Sequence, residues 1–178
     1  MSIKENSLAK AALSAMLAAL VTIATVLVQI PNPATRGYFN LGDVMIFVSS
    51  LTFGPIIGGF AGGVGSFLGD VISGFANYAP FTLIIKGTEG LLAGIVSNRK
   101  SVKRDVAAVI LGGTVMVAGY FLAEFFPLQY GWAALTEIPG NVSQVVVGAA
   151  LGIPISNVIR KRLPEVLKPH RRAVVPIS

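Results

Sequence analysis

The sequence predicts an all-α integral membrane protein, built as a single compact bundle of six transmembrane helices. Hydrophobic residues make up 53% of the 178 residues and charged residues only 12%, whereas soluble proteins average about 25% charged residues. The apolar residues fall into six segments separated by short polar or proline-containing connections, and about 20 apolar residues suffice to cross a bilayer. We therefore expect residues 1–163 to form one membrane domain and residues 164–178 to form a basic cytoplasmic tail.

The basic residues indicate how the bundle is oriented in the cell membrane. The net charge is +6, and twelve of the fourteen Lys and Arg residues lie near the chain termini or in the connection after the fourth apolar segment. This bias is typical of cytoplasmic segments, so both termini are predicted to be cytoplasmic and nucleic-acid binding is not indicated. The twelve residues are Lys4, Lys10, Arg99, Lys100, Lys103, Arg104, Arg160, Lys161, Arg162, Lys168, Arg171 and Arg172.

The first predicted helix, residues 8–30, carries a stripe of small residues. It is too long for the core of a signal peptide, so we expect it to remain in the mature protein. Ala11, Ala15 and Ala19 are four apart, a spacing that lets another helix backbone approach closely. The stripe therefore predicts either packing within the bundle or a docking face for a partner subunit.

The connection after this helix, residues 30–40, contains two prolines and cannot continue a helix. It is predicted to be an outer loop, either a plain connector or a lid over a ligand. The second helix begins near Leu41 and is short, because Gly54 and Pro55 end it. Asp43 lies in its first turn, where a carboxylate favours the positive end of the helix dipole, and capping is the preferred interpretation there.

The fourth predicted helix holds two opposite charges near its middle. The glycine-rich sequence of the third helix, residues 55–77, predicts that other helices pack closely against it. The fourth helix follows at residues 80–94 and contains Lys86 and Glu89. An ionisable group at the bilayer centre costs about 2.5–3.5 kcal/mol, so it is retained for a partner, a pathway or a ligand. Because positions three apart share a helical face, these two side chains form either a structural ion pair or part of a site.

Further polar residues gather toward the outer ends of the remaining helices. The fifth helix is predicted at residues 106–126 and the sixth at residues 139–163. Polar side chains that converge in an apolar wall are what a pocket for a small polar or aromatic molecule requires. The converging residues are Asp70, Glu124, Asn141 and Gln144 in the outer halves of the third, fifth and sixth helices, with Lys86 and Glu89 nearer the middle of the fourth.

Several kinds of chemistry lack their residues in this sequence. There is no cysteine, and the only histidine, His170, lies in the predicted tail. A serine–histidine dyad in the membrane, a histidine metal site and a phosphate-binding loop are therefore not predicted. We expect no enzyme activity, cofactor or metal. Three classes remain: a ligand-binding transport subunit, a stand-alone proton-coupled small-molecule carrier, and a structural subunit without a ligand.

Four segments in a fixed order carry a resemblance to a known family. They are PNPATRGYFNLGD at residues 31–43, FGPIIGGFAGGVGSFLGD at 53–70, IKGTEGLLAG at 85–94 and PGNVSQVVVGAALGIP at 139–154. Together with the alanine stripe, they resemble the substrate-binding S components of energy-coupling factor (ECF) vitamin transporters. The resemblance covers nearly the whole chain and is strongest to the group that takes riboflavin, pyridoxine or hydroxymethylpyrimidine.

The resemblance implies a high-affinity binding subunit that takes a vitamin from outside and releases it inside. Such a subunit associates with a transmembrane coupling protein and two cytoplasmic ATPase subunits, to which Ala11, Ala15 and Ala19 would dock. Residues 31–40 would form the lid over the site. The expected substrate-binding residues are Lys86, Glu89, Asn141, Gln144, Asp70, Asn77, Tyr78, Tyr120, Glu124, Asn40 and Tyr38.

Overall fold

The structure, a computed structural model, describes residues 3–162, with side chains from residue 7 onward. The predicted tail at residues 164–178 lies outside the described residues. Within them the chain forms six α-helices, one pair of two-residue strands and one 3₁₀ helix. In chain order these are α1 (Ile3–Leu27), β1 (Ile30–Pro31), β2 (Tyr38–Phe39), α2 (Gly42–Phe53), α3 (Pro55–Ile72), α4 (Ala79–Val96), α5 (Val102–Phe125), the 3₁₀ helix (Gly131–Thr136) and α6 (Ile138–Arg162).

The helices confirm the predicted all-α membrane fold. Five helical segments in the described part of the chain are long and apolar enough to cross a bilayer: Ser7–Leu27, Pro55–Ile72, Ala79–Val96, Val102–Phe125 and Gly131–Arg162. Their outward faces are apolar, with Ile84, Ile110 and Val146 each more than half exposed. A surface of this kind suits contact with lipid.

α2 is the short helix at the centre of the bundle. Its 12 residues extend about 18 Å at 1.5 Å per residue, which is less than the hydrocarbon thickness. It packs against α1, α3, α4 and α6, and its Phe47 and Leu51 are fully buried among side chains of α4, α5 and α6. Because the other helices surround α2, it needs little contact with lipid.

The two ends of the bundle differ in chemistry. The hairpin end holds the connections at residues 28–41, 73–78 and 126–137, and the basic end holds Gly54 and residues 97–101. At the basic end the Arg160 guanidinium of α6 lies 2.5 Å from the Asp105 carboxylate of α5, and Ser97 donates a hydrogen bond of 2.6 Å to the same carboxylate. This ion pair joins the last two helices.

Two predicted helix ends are wrong. The third helix ends at Ile72 rather than residue 77, because Gly74 adopts a left-handed backbone with φ +85°. The amide of Phe75 then bonds the carbonyl of Asp70 at 2.8 Å, and the Gly74 amide bonds that of Val71 at 3.4 Å, which is the Schellman helix ending.

The first helix begins at Ile3, five residues before its predicted start, and ends at Leu27 instead of residue 30. It ends there because Ile30 and Pro31 pair with Phe39 and Tyr38 in an antiparallel hairpin. The fifth helix begins at Val102, four residues before its predicted start. The short second helix begins and ends close to the predicted residues.

Glycines let α3 and α4 approach each other closely. A Cβ atom at Gly62 would lie 2.6 Å from the Lys86 carbonyl oxygen, and one at Gly94 would lie 2.5 Å from the Cα atom of Pro55. Real Cβ atoms do not occupy such positions, so the interface requires glycine there. This contact fixes the height of Lys86 on α4 relative to α3.

We expect Gly94→Ala to lower the free energy of unfolding by about 1–3 kcal/mol, the usual cost of overpacking. Gly87→Ala is the matched control on the same helix, because its Cβ atom would lie 3.5 Å from the nearest atom, the Gly59 carbonyl oxygen. Thermal unfolding of both variants in detergent, followed by circular dichroism, measures the difference. Equal stability of the two variants would contradict the close-packing argument.

Candidate functional site

A polar cavity opens at the hairpin end of the bundle. Its empty volume is about 400 Å³, part of it open to solvent. Helices α1, α3, α4, α5 and α6 and the hairpin loop (residues 28–41) all contribute to it, and every lining residue except one glycine has a polar side chain. The lining residues are Thr25, Gly37, Tyr38, Asn40, Ser66, Asp70, Tyr78, Thr82, Lys86, Tyr120, Glu124, Glu137, Asn141 and Gln144.

Lys86 lies at the inner side of this cavity in a buried charge cluster. Its ammonium group pairs with the Asp43 carboxylate of α2 and lies 3.3 Å from the Glu89 carboxylate on its own helix. All three side chains are at most 2% exposed. A buried charge needs such partners, because leaving it unpaired in a low-dielectric interior is costly.

The partner that sequence reasoning missed is Asp43. Asp43 lies in the first turn of α2, as predicted. Its carboxylate accepts a hydrogen bond from the Lys86 ammonium group, which joins α2 to α4. The capping interpretation did not include this contact. The predicted pair of Lys86 and Glu89 does form. The Lys86 ammonium also lies 5.7 Å from the ring centroid of Tyr120, within cation–π range.

Five hydrogen bonds hold the hairpin loop against its neighbours. One of them is donated by Gln29 Nε2 to the Ser73 hydroxyl at 2.6 Å. Tyr38 Oη donates to Asp70 Oδ1 at 2.6 Å, and Tyr78 Oη donates to the carbonyl of Thr35 at 2.8 Å. The two others join the Thr35 hydroxyl to Glu137 and the Asn32 amide to the Thr136 hydroxyl at 3.0 Å. The loop therefore contacts α3, the start of α4 and the connection before α6.

The hydroxyl groups of Tyr38 and Tyr78 stay protonated and so remain hydrogen-bond donors. Burial, and then the charge of Asp70, raises the pKa of Tyr38 well above its ordinary value. Burial, and then the charge of Glu124, does the same to the pKa of Tyr78. Each hydroxyl therefore keeps its proton at neutral pH and continues to donate it.

A pair of amide side chains forms another part of the wall. Asn141 and Gln144 lie on one face of α6, and Gln144 Nε2 donates to Asn141 Oδ1 at 3.1 Å. Both are at most 5% exposed. Asn40 at the end of the hairpin loop lines the cavity too, and its Oδ1 accepts a hydrogen bond of 2.8 Å from the Gly42 amide at the start of α2.

Of the eleven residues predicted to bind substrate, nine line this cavity. Glu89 lies behind Lys86 and does not line it. Asn77 is exposed in the connection between α3 and α4, because α3 ends five residues before it. The role of the nine in ligand binding stays a prediction. They are Tyr38, Asn40, Asp70, Tyr78, Lys86, Tyr120, Glu124, Asn141 and Gln144.

Sequence reasoning did not select four further polar residues of the lining. Three of them, Ser66, Thr82 and Glu137, each lie four positions before a selected residue, namely Asp70, Lys86 and Asn141. Side chains four apart share a helical face, so this spacing was the available signal. The fourth, Thr25 of α1, has no comparable signal.

The alanine stripe of α1 faces away from the bundle. Ala11, Ala15 and Ala19 are all exposed, whereas Leu17 and Val21 on the opposite face are at most 4% exposed. No helix of the described part of the chain covers the alanine stripe. In the same part of the chain, no group of three His, Cys, Asp or Glu side chains could hold a metal ion.

A model of the family described as the ECF-type riboflavin transporter S component matches residues 5–161. The chain belongs to this family of S components. The predicted family and membrane location are thereby confirmed, and so is the expectation that the chain is not an enzyme, because the family consists of multi-pass subunits of transporters. An S component binds a vitamin or vitamin precursor and pairs with an energising module.

Two relatives extend over most of the chain. A protein of Pyrococcus woesei, described as an uncharacterized protein in the gap 3′ region, is 43% identical over 150 residues, which are 83% of this chain and 99% of that protein. The thiamine precursor transporter HmpT of Lactococcus lactis subsp. cremoris (strain MG1363) is 34% identical over 158 residues, which are 88% of this S component and 90% of the transporter.

A solved S component of a bacterial ECF transporter has the same fold. Its TM-score is 0.63 at 20% sequence identity, and the match covers 92% of this chain and 99% of the solved one. At this identity the likeness concerns the fold alone.

We expect the Asp43 and Lys86 side chains to be strongly coupled in stability. Asp43→Ala and Lys86→Ala should each lower the free energy of unfolding by about 3–5 kcal/mol, because each leaves a buried charge short of a partner. The double variant should lose clearly less than the sum of the two. Denaturant titration in detergent measures all four proteins, with Thr114→Ala at an exposed site of α5 as control; strict additivity would refute the coupling.

Proposed function

We propose that this S component captures a water-soluble vitamin or vitamin precursor with high affinity from outside the cell. It releases the ligand inside after docking to an energising module made of a transmembrane coupling protein and two cytoplasmic ATPase subunits. The observation that carries the proposal is the polar cavity at the hairpin end of an otherwise apolar bundle. Polar groups in a membrane protein are expensive, so their convergence on one cavity favours a ligand site.

The distribution of charge supports the direction of transport. The basic end and its neighbouring helix turns carry Arg99, Lys100, Lys103, Arg104, Arg160, Lys161 and Arg162, whereas the hairpin loop carries Arg36 alone. Cytoplasmic segments are enriched in Lys and Arg. The cavity at the hairpin end then faces outward, where a nutrient arrives.

The hairpin loop has the contacts expected of a lid. Its residues Gly37, Tyr38 and Asn40 line the cavity, and three of its hydrogen bonds are made to Asp70, Tyr78 and Glu137, which line the cavity too. Opening the loop would give a ligand access, and closing it would exclude water from the bound ligand.

The exposed alanine stripe supports docking of the coupling protein on α1. Ala11, Ala15 and Ala19 present a smooth surface on which another helix can pack closely. The opposite face of α1 packs on α3, where Thr22 donates a hydrogen bond of 2.8 Å to the Gly65 carbonyl. A partner can therefore cover the stripe without displacing a contact of the bundle.

The comparisons support the class of ligand. The family description names riboflavin, and the relative HmpT is a thiamine precursor transporter. The proposed class is therefore riboflavin, pyridoxine or hydroxymethylpyrimidine, the ligands expected from the sequence.

Purified protein in detergent should be stabilised by one vitamin of a panel of riboflavin, pyridoxine, hydroxymethylpyrimidine, thiamine, biotin and folate. At a ligand concentration of about 100 times the dissociation constant, binding adds about 2.7 kcal/mol to the free energy of unfolding, and a thermal shift detects it. A folded protein that responds to none of the panel would argue against the proposal. Uptake by proteoliposomes that lack ATPases, driven by a pH gradient, would favour a stand-alone proton-coupled carrier.

We expect Ala15→Trp to abolish vitamin uptake in cells that contain the energising module, while ligand binding by the purified protein stays unchanged. The bulky ring would keep the coupling protein from approaching α1. Ala107→Trp is the matched control, since Ala107 is an exposed alanine on α5. Loss of ligand binding in Ala15→Trp, or equal loss of uptake in both variants, would count against docking at this stripe.

A further inference from the structure

Arg99, at the basic end of the bundle, is a half-buried cation that forms no ion pair with the described residues. The ion pairs in this part of the chain are those of Lys86 and of Arg160. The Nε atom of Arg99 is buried and has no acceptor among the same residues. Because a buried donor without an acceptor destabilises a protein, an anion that bonds this guanidinium group would remove that penalty.

The connection between α4 and α5 places Arg99 against the junction of α2 and α3. Arg99 has a left-handed backbone with φ +57°, which is uncommon for a residue other than glycine. Asn98 Oδ1 holds this turn by accepting hydrogen bonds of 3.0 Å from the amides of Lys100 and Ser101. A Cβ atom at Gly54, the residue between α2 and α3, would lie 3.2 Å from Arg99 Cζ. The guanidinium group therefore lies on Gly54, where a larger residue would displace it.

The surroundings of Arg99 carry a surplus of positive charge. Burial, and then the charge of Arg160, lowers the pKa of Arg99 below its ordinary value, so the two guanidinium groups repel each other. Asp105 pairs with Arg160, and it is the only acidic residue in residues 97–105 and 157–162. The helix dipoles add little, because α3 and α5 begin at this end while α2 and α4 end there.

The position of Arg99 favours a lipid as the source of the anion. Both α4 and α5 are long and apolar enough to cross a bilayer, so the connection between them lies at the membrane surface. Ile56 and Ile95 are 81% and 58% exposed, and each is the neighbour in sequence of one member of the close contact between Pro55 and Gly94. A lipid whose phosphate bonds Arg99 can lay its acyl chains on these two isoleucines.

The chemistry of the site favours an anionic headgroup. A guanidinium group donates two parallel hydrogen bonds to a phosphate. A choline headgroup would bring a second cation into this basic surface, whereas a glycerol headgroup brings none. The basic end is proposed above to face the cytoplasm, where the leaflet is rich in anionic lipids and where basic pockets between helices bind their headgroups.

We propose that Arg99, at the junction of α2 and α3, binds the phosphate of an anionic phospholipid such as phosphatidylglycerol. Its guanidinium donors bond the phosphate oxygens, the neighbouring basic side chains attract the headgroup, and Ile56 and Ile95 contact the acyl chains. The site lies at the opposite end of the bundle from the polar cavity. The proposal depends neither on the ligand of that cavity nor on the docking of a partner subunit.

Native mass spectrometry of the purified full-length protein, released from detergent, measures the binding of single lipids. The probes are phosphatidylglycerol and phosphatidylcholine with the same oleoyl chains, and inorganic phosphate, which has no chains. We expect the first phosphatidylglycerol to bind at least about tenfold more tightly than phosphatidylcholine, because the choline cation is repelled by the basic surface. Inorganic phosphate at the same concentration should not displace the lipid.

A pair of variants separates the site from general attraction to the basic surface. Arg99→Gln should lower the preference for phosphatidylglycerol at least about fivefold, because the partner of the phosphate is lost. Lys100→Gln removes the same charge from the next residue, which is exposed, and should change the preference by less than about twofold, since exposed ion pairs contribute little. Thermal unfolding in lipid-free detergent verifies that each variant is folded.

Arg99→Lys serves as a second variant if Arg99→Gln does not fold. It keeps the positive charge and loses the two parallel donors, so it should lower the preference for phosphatidylglycerol at least about threefold. An unchanged preference in a folded variant of Arg99 would overturn the assignment to this residue.

The remaining outcomes also decide. Equal binding of the two lipids by the unmodified protein would overturn the site, and so would equal losses in Arg99→Gln and Lys100→Gln. Displacement of phosphatidylglycerol by inorganic phosphate would assign the site to a free anion. If Arg99→Gln keeps the lipid preference and weakens only the association with the energising module, Arg99 contacts a partner protein and the lipid is overturned. Vitamin binding is tested separately by the ligand panel.

Discussion

The pairing of Lys86 with Asp43 and Glu89 is the constraint on which the rest of the structure depends. Three ionisable groups with almost no exposure lie together inside the bundle, and their charges are tolerable only because they meet. The pairing fixes α2 against α4, and α2 contacts four of the other five helices. The position of α2 against α4, and of Lys86 at the inner side of the cavity, thus depends on this pairing.

The cavity shows how a membrane protein can keep a polar site without losing its fold. Lipid surrounds the outward faces, which are apolar, while the polar side chains point inward and are mostly satisfied by one another. Five buried oxygen atoms of the wall, on Thr25, Ser66, Asp70, Glu124 and Gln144, have no hydrogen-bond partner among the described residues. An incomplete set of hydrogen bonds is a cost to the empty protein and a source of affinity for a ligand that completes it.

Much of this could be predicted from the sequence, because lipid imposes simple rules. Apolar segments and the spacing of Lys86 and Glu89 led to the helices and to one of the two ion pairs at Lys86. The pairing of Asp43 with Lys86 was not predicted, since a contact between residues 43 positions apart leaves no local pattern. The end of α3 at Ile72 was missed although Gly74 signalled it, because the apolar character of the segment continues beyond the glycine.

The fastening of the hairpin loop has a consequence for the order in which the protein is assembled. The loop is synthesised early, but its partners follow much later: Asp70 lies 32 residues after Tyr38, Thr136 lies 104 residues after Asn32 and Glu137 lies 102 residues after Thr35. Contacts this distant in sequence form slowly. Asp70 and Tyr78 can hold the loop early, but the bonds to Thr136 and Glu137 wait until the connection before α6 has been synthesised. A chain that stops short of α6 would therefore have helices but an incomplete cavity wall.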